Sequence, residues 1–127
     1  MTESGNSRAF DYLDHMVEAI TLARSFTEGM AKEDFLADRK TQQAVILNLI
    51  VLGEAASKIA SECPEFTAAH PALPWQQMRG MRNRMAHGYF DIDLDVVWET
   101  VQTSLPALLR QLAAIVESRR LPGGNNR

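Results

Sequence analysis

The run Val45-Ile46-Leu47-Asn48-Leu49-Ile50-Val51-Leu52 constrains the fold more than any other stretch of this chain. Wound as a helix, it is apolar on more than one face, which is more than a simple surface helix in a small bundle can bury. A helix over about residues 40–61 built around this run needs partners on several sides, and the surplus reads as an interface between two copies of the chain. Gly53 lies inside the same helix. There it costs up to about 1 kcal/mol relative to Ala, which makes sense if another helix crosses closely at that point. No segment of five or more residues alternates with period two, and there is no internal repeat, so the pattern is helical throughout.

The flanking segments read the same way. From Phe10, apolar residues fall at Leu13, Met16, Val17, Ile20 and Ala23, the spacing of an amphipathic helix. It ends near Thr27-Glu28-Gly29, where Gly29 can take the left-handed conformation that stops a helix. Residues 31–38 form a connection with at most one helical turn, plugged by Phe35 and Leu36. Pro64, Pro71 and Pro74 make residues 62–74 irregular, with one short turn around 66–69. Pro74-Trp75 starts a third helix, whose buried stripe is Met78, Met81 and Met85 and which stops at Gly88. Asp93 caps a fourth helix with the stripe Leu94, Val97, Trp98, Val101, Leu105, Leu108, Leu112 and Ile115. Pro106 inside that stripe removes a backbone hydrogen bond and places a kink near Gln102. The expected architecture is all-α: an antiparallel four-helix bundle in which a shorter helix carries the functional run. Residues 1–9 are expected to be a flexible N-terminus, 10–120 a single domain and 121–127 a flexible tail.

At 127 residues, with 46% hydrophobic and 23% charged residues, the chain suits one folded domain rather than a disordered segment. Cys63 is the only cysteine, which excludes an internal disulfide and a Cys-rich zinc site. The first ten residues lack the basic and apolar regions of a signal peptide. The longest apolar run, 44–53, falls short of a bilayer span. The expectation is a cytoplasmic protein without membrane contact. A formal charge of −3 argues against coating nucleic acid non-specifically, since that mode neutralises many phosphates. A local anion site remains open. Arg79, Arg82 and Arg84 lie within six residues, Asp and Glu are absent from Gln76 to Phe90, and Asp91, Asp93, Asp95 and Glu99 follow directly. Any anion-binding surface is therefore narrow and edged by carboxylates.

The run Arg82-Asn83-Arg84-Met85-Ala86-His87-Gly88-Tyr89 sits in that window. Arg carries a planar fork of donors that grips two phosphate oxygens at once, where Lys offers a point charge. His takes and gives a proton near neutrality. In a regular helix the step from Arg82 to His87 turns the side chain by about 500°, a net of roughly 140°, whereas Asn83 and His87 share a face. One ideal helix does not close an Arg–His pair over a phosphate. The Arg reaches around, the last turn opens at Gly88, or a second subunit completes the site. Taken alone, His87 can equally serve the helix dipole, Arg79 and Arg84 can be solvated or paired with Asp91 to Asp95, and the methionines are core. Glu54 can pair with Lys58 one turn on. His15 and His70 have no short ligand spacing to His87, so no metal site is expected.

The order Arg, four residues, His, one residue, Tyr resembles the signature of HEPN-domain proteins, specifically the HepT toxins paired with MNT-type minimal nucleotidyltransferase antitoxins. Asp11-Tyr12-Leu13, Asn48 to Ala56 (NLIVLGEAA), Leu73-Pro74-Trp75, Met81 to Phe90 (MRNRMAHGYF) and Leu105-Pro106 resemble the family pattern in order and spacing, covering residues 10–112. The resemblance implies a homodimer whose motif helices meet in a cleft and cleave RNA without metal or cofactor, leaving DNA intact. Arg82 and His87 would be catalytic, Asn83 and Tyr89 would bind substrate, and Glu54 would support Arg82. It further implies that the antitoxin silences the toxin by transferring AMP to Tyr89. The alternatives are a non-catalytic HEPN module serving a partner nucleotidyltransferase, and a bundle whose only task is assembly.

Overall fold

The computed structural model describes residues 2–120, with side chains from 7 to 119, and the expected flexible tail at 121–127 lies outside them. The elements are α1 (Thr2–Phe26), α2 (Lys32–Leu36), α3 (Arg39–Glu62), α4 (Pro64–Ala69), α5 (Trp75–His87), α6 (Leu94–Glu99) and α7 (Leu105–Arg120). A 3-10 turn at Tyr89–Asp91 and a π-turn at Thr100–Ser104 link the last three. No strand occurs among the described residues, and the fold is the expected all-α bundle.

Helix α1 runs further toward the N-terminus than its apolar stripe required. It is helical from Thr2, and Ala9, which the sequence reading left outside the domain, is fully buried. Gly29, at φ 80°, ends this region in the left-handed conformation. In the connection that follows, Phe35 is buried while Leu36 is exposed, so Phe35 alone plugs it. Asp38 starts α3: its carboxylate accepts from the Thr41 backbone N–H at 3.1 Å and the Thr41 hydroxyl at 2.8 Å. Those bonds, the backbone one foremost, hold the Asp38 carboxyl below the usual carboxylate range.

Side-chain pairs fix the directions of the rods. Arg8 and Tyr12, early in α1, meet Glu62 at the end of α3, at 3.6 and 3.1 Å, so α1 and α3 are antiparallel. Gln102 donates to Thr27 at 3.2 Å, while the Arg119 guanidinium lies 4.7 Å from the centre of the Phe10 ring. The C-terminal rod is therefore antiparallel to α1 as well. The shared core joins Leu13, Met16 and Ile20 of α1 with Val45, Leu49, Leu52 and Ile59 of α3 and Val97, Val101, Leu105 and Leu112 of the last rod.

By length and composition α3 could cross a bilayer, contrary to the expectation that no stretch comes near that. Its burial gives a different account. Val45, Ile46, Leu49, Leu52, Gly53, Ala55, Ala56 and Ile59 are buried in this core, and α3 lies between α1 and α5. The kink expected at Pro106 takes the form of the π-turn. The Leu105 N–H reaches back to the Thr100 carbonyl, and Pro106 has no N–H to continue the ladder.

Candidate active site

Helix α5 is positioned by α3, and Gly53 is the reason it can come so close. A Cβ on Gly53 would strike the Cβ of Arg82 and lie 2.7 Å from the Met78 carbonyl oxygen. The crossing foreseen from the cost of Gly53 is thus the crossing that carries Arg82. On its inner side α5 buries Met78, Met81 and Met85, as their spacing predicted.

The polar residues of α5 divide between two environments. Arg82 stands at the border with α3, its side chain 24% exposed. Its Nε is shut off from water and lies 3.2 Å from Glu54 Oε1, an ion pair without hydrogen-bond alignment. Glu54 therefore takes Arg82 rather than Lys58. Asn83 and His87 are exposed and share a face, being four residues apart. With 100° per residue, the small Ala86 falls between Arg82 on one side and Asn83 and His87 on the other.

Of the three ways to close the site, one is removed. The last turn does not open at Gly88, whose N–H still donates to the Arg84 carbonyl at 2.8 Å. The chain then enters the 3-10 turn through Asp91 N–H to Gly88 O at 2.9 Å, leaving Tyr89 45% exposed. Arg79 and Arg84 are exposed, and Asp95 pairs with Lys32 at 2.9 Å. Among the described residues no three potential metal ligands cluster.

The main cavities among the described residues leave out Arg82, Asn83, His87 and Tyr89. A cavity of about 500 Å³ lies beside the π-turn, lined by Arg24, Thr27 and Gln102, and another of about 280 Å³ lies on the inner side of α5, lined by Met81, Met85 and Val97. Neither is lined by Asn83, His87 or Tyr89. The motif face is open surface, and beside it run exposed Leu47 and Val51 of α3. Leu47, Val51, Glu54 and Lys58 fall on one face of α3, so this apolar stripe leads directly to the Glu54–Arg82 pair. Phe90, to which the sequence analysis assigns no role, is 98% exposed beside Tyr89. Its signal was available: it is an aromatic residue outside every helical stripe, directly after the motif.

The body is all-helical, with Arg82 paired to Glu54 and His87 exposed on the same helix. Sequence comparison identifies the class further: residues 16–115 match the family described as Ribonuclease HepT-like, and the chain belongs to that family. It is 44% identical over 98 residues to a probable ribonuclease HepT of Thermococcus cleftensis, covering 77% of this chain and 86% of that protein. A putative RNase of Methanocaldococcus jannaschii is 32% identical over 108 residues, 85% of this chain and 84% of its own length. A putative RNase of Caldanaerobacter subterraneus is 28% identical over 109 residues, 86% and 95% of the two chains. No solved structure matches. Membership makes the chain an endoribonuclease.

Proposed function

We propose that the chain is the toxin of a HepT/MNT pair: a cytoplasmic homodimeric endoribonuclease that cuts without metal and is silenced when its antitoxin transfers AMP to Tyr89. The observation that carries the reading is the Arg82–Glu54 ion pair at the rim of the exposed face holding Asn83 and His87. It ties the one motif cation at the α3 border to a fixed partner and leaves the imidazole free to meet solvent and substrate. The apolar stripe of Leu47 and Val51 supports a second copy seated beside this face, and the open motif surface gives that copy a cleft to complete.

In this mechanism a neutral His87 draws the proton from a ribose 2′-hydroxyl as its oxygen attacks the adjacent phosphorus. The proton for the departing 5′-oxygen comes from the imidazolium so formed or from a protonated His87 of the other copy. Arg82 stabilises the charge that builds on the phosphorane oxygens, where positioned donors matter most. Asn83 orients the imidazole or the phosphate, and Tyr89 contacts the substrate. AMP on Tyr89 would set an anionic phosphodiester and a bulky nucleotide in the cleft, excluding RNA by charge and by volume.

The test is incubation of the protein with total RNA in excess EDTA, beside Arg82→Ala and His87→Ala. The expected products end in 2′,3′-cyclic phosphate, both variants lose cleavage, and DNA survives. Cleavage by His87→Ala at the wild-type rate would sink the mechanism and favour a non-catalytic module. Silencing is tested by the intact mass of protein co-expressed with the antitoxin, where AMP increments on Tyr89 are expected and an unmodified mass would refute it.

A further inference from the structure

We infer that Phe90 is a stacking platform for an unpaired nucleobase next to the cut, a substrate-positioning role that rests on the ribonuclease reading above. Phe90 is 98% exposed, more than any other large apolar side chain described. The exposed Leu47 and Val51 belong to the stripe of α3, and Val96 lies on α6, but Phe90 sits past the end of α5 in the 3-10 turn. It is held there by the Asp91-to-Gly88 backbone bond and by an edge contact with Tyr89, ring centres 5.9 Å apart at 80°. The backbone that carries the ring is held, and the ring itself is uncovered.

What covers it follows from its position. It lies three residues after His87, within about 10 Å along the backbone, between the cationic run 79–87 and the carboxylates that begin at Asp91. A phosphate engaged by Arg82 and His87 places the neighbouring nucleotide at that distance. The carboxylates beyond repel further backbone, so an uncharged, flat group suits the position. A base exposes such a face only when it is unstacked, and stacking on an aromatic ring tolerates any base identity. Phe90 therefore favours unpaired RNA over duplex and leaves the choice of base to other contacts.

The experiment compares wild type, Phe90→Ala and Phe90→Trp. Binding is measured with a 2′-O-methyl RNA oligonucleotide of mixed sequence, which lacks the attacking hydroxyl, and with the same oligonucleotide carrying one abasic position in turn along its length. Cleavage of an unmodified version gives kcat and KM, and sedimentation gives the oligomeric state. Phe90→Ala should weaken binding about 5- to 150-fold, raising KM with kcat little changed, while Phe90→Trp keeps wild-type affinity and its added fluorescence is quenched by the oligonucleotide. One abasic position should weaken wild type and leave Phe90→Ala unaffected. The inference is overturned if Phe90→Ala binds as wild type does, if every abasic position costs both proteins equally, or if the variant alters self-association, which would make Phe90 a contact between copies. Failure of wild type to cleave the unmodified RNA, by contrast, would strike the nuclease reading itself, and the binding arm would still judge Phe90.

Discussion

In the proposed mechanism Arg82 joins the packing of this protein to its chemistry. The first carbons of its side chain lie against the bare backbone of Gly53, and its Nε faces Glu54, so the direction of the guanidinium is settled by α3 rather than by the side chain's own rotamers. Replacing it by Lys keeps a charge but removes the planar fork. Arg82→Lys is expected to lower kcat by about 100-fold or more, with little change in the thermal midpoint. Glu54→Gln keeps the shape and removes the charge opposite Nε, so its effect should fall on kcat rather than on folding. A loss in melting temperature equal to that of a core truncation would show that the pair serves stability instead. Much of this was legible. The five-residue spacing showed that Arg82 and His87 diverge on a helix, and Glu54 stood among the candidates. The choice between Lys58 and Arg82 as its partner was not legible, because an i,i+4 rule describes one helix and this contact crosses between two.

At the scale of elements, the crossing of α3 and α5 makes opposite demands on Gly53. Gly53→Ala gains about 1 kcal/mol of helix propensity, yet the new methyl meets Arg82 Cβ and the Met78 carbonyl, backbone that cannot swing aside. Such overpacking costs about 1–3 kcal/mol. The net change in unfolding free energy should therefore lie between about 0 and 2 kcal/mol of destabilisation, while cleavage falls at least about 10-fold because α5 is pushed off its seat. Unchanged activity with unchanged stability would mean that the close approach does not set the site. The cap of α3 gives a second expectation. Because Thr41 depresses the Asp38 carboxyl, its contribution is complete above the unfolded value of about 4 and is lost as pH falls through the lower folded value. Asp38→Asn should flatten the acid limb of a melting-temperature profile and leave the neutral region nearly unchanged in slope. Periodicity predicted α1, α3, α5 and the last rod, because each buries a continuous stripe. It missed the helical start of α1 at Thr2, where residues carry no stripe to read, and gave Pro106 a kink without showing that an extra residue would be absorbed as a π-turn.

For the whole molecule, the homodimer proposed above calls for a place where a second copy sits. The stripe of Leu47 and Val51 ends at Glu54, so a copy docked there by a two-fold axis would bring its own Arg82 and His87 to the same seam. A charge within that stripe should separate the copies. Leu47→Asp removes a side chain that is 60% exposed, so the protomer's fold should hold while sedimentation shows monomer and cleavage is lost. Mixing two inactive proteins then distinguishes a shared site from two independent ones. If each cleft takes Arg82 from one copy and His87 from the other, Arg82→Ala and His87→Ala subunits left to exchange form heterodimers with one intact pairing. Half of the dimers are mixed at equilibrium, and the mixture should recover about a quarter of wild-type activity per subunit. Recovery should be abolished when both proteins also carry Leu47→Asp. A mixture that stays inactive after exchange has been verified by mass would mean that Arg82 and His87 of one protomer act over the same phosphate, the long Arg reaching past Ala86, or that one cut uses both His87 side chains.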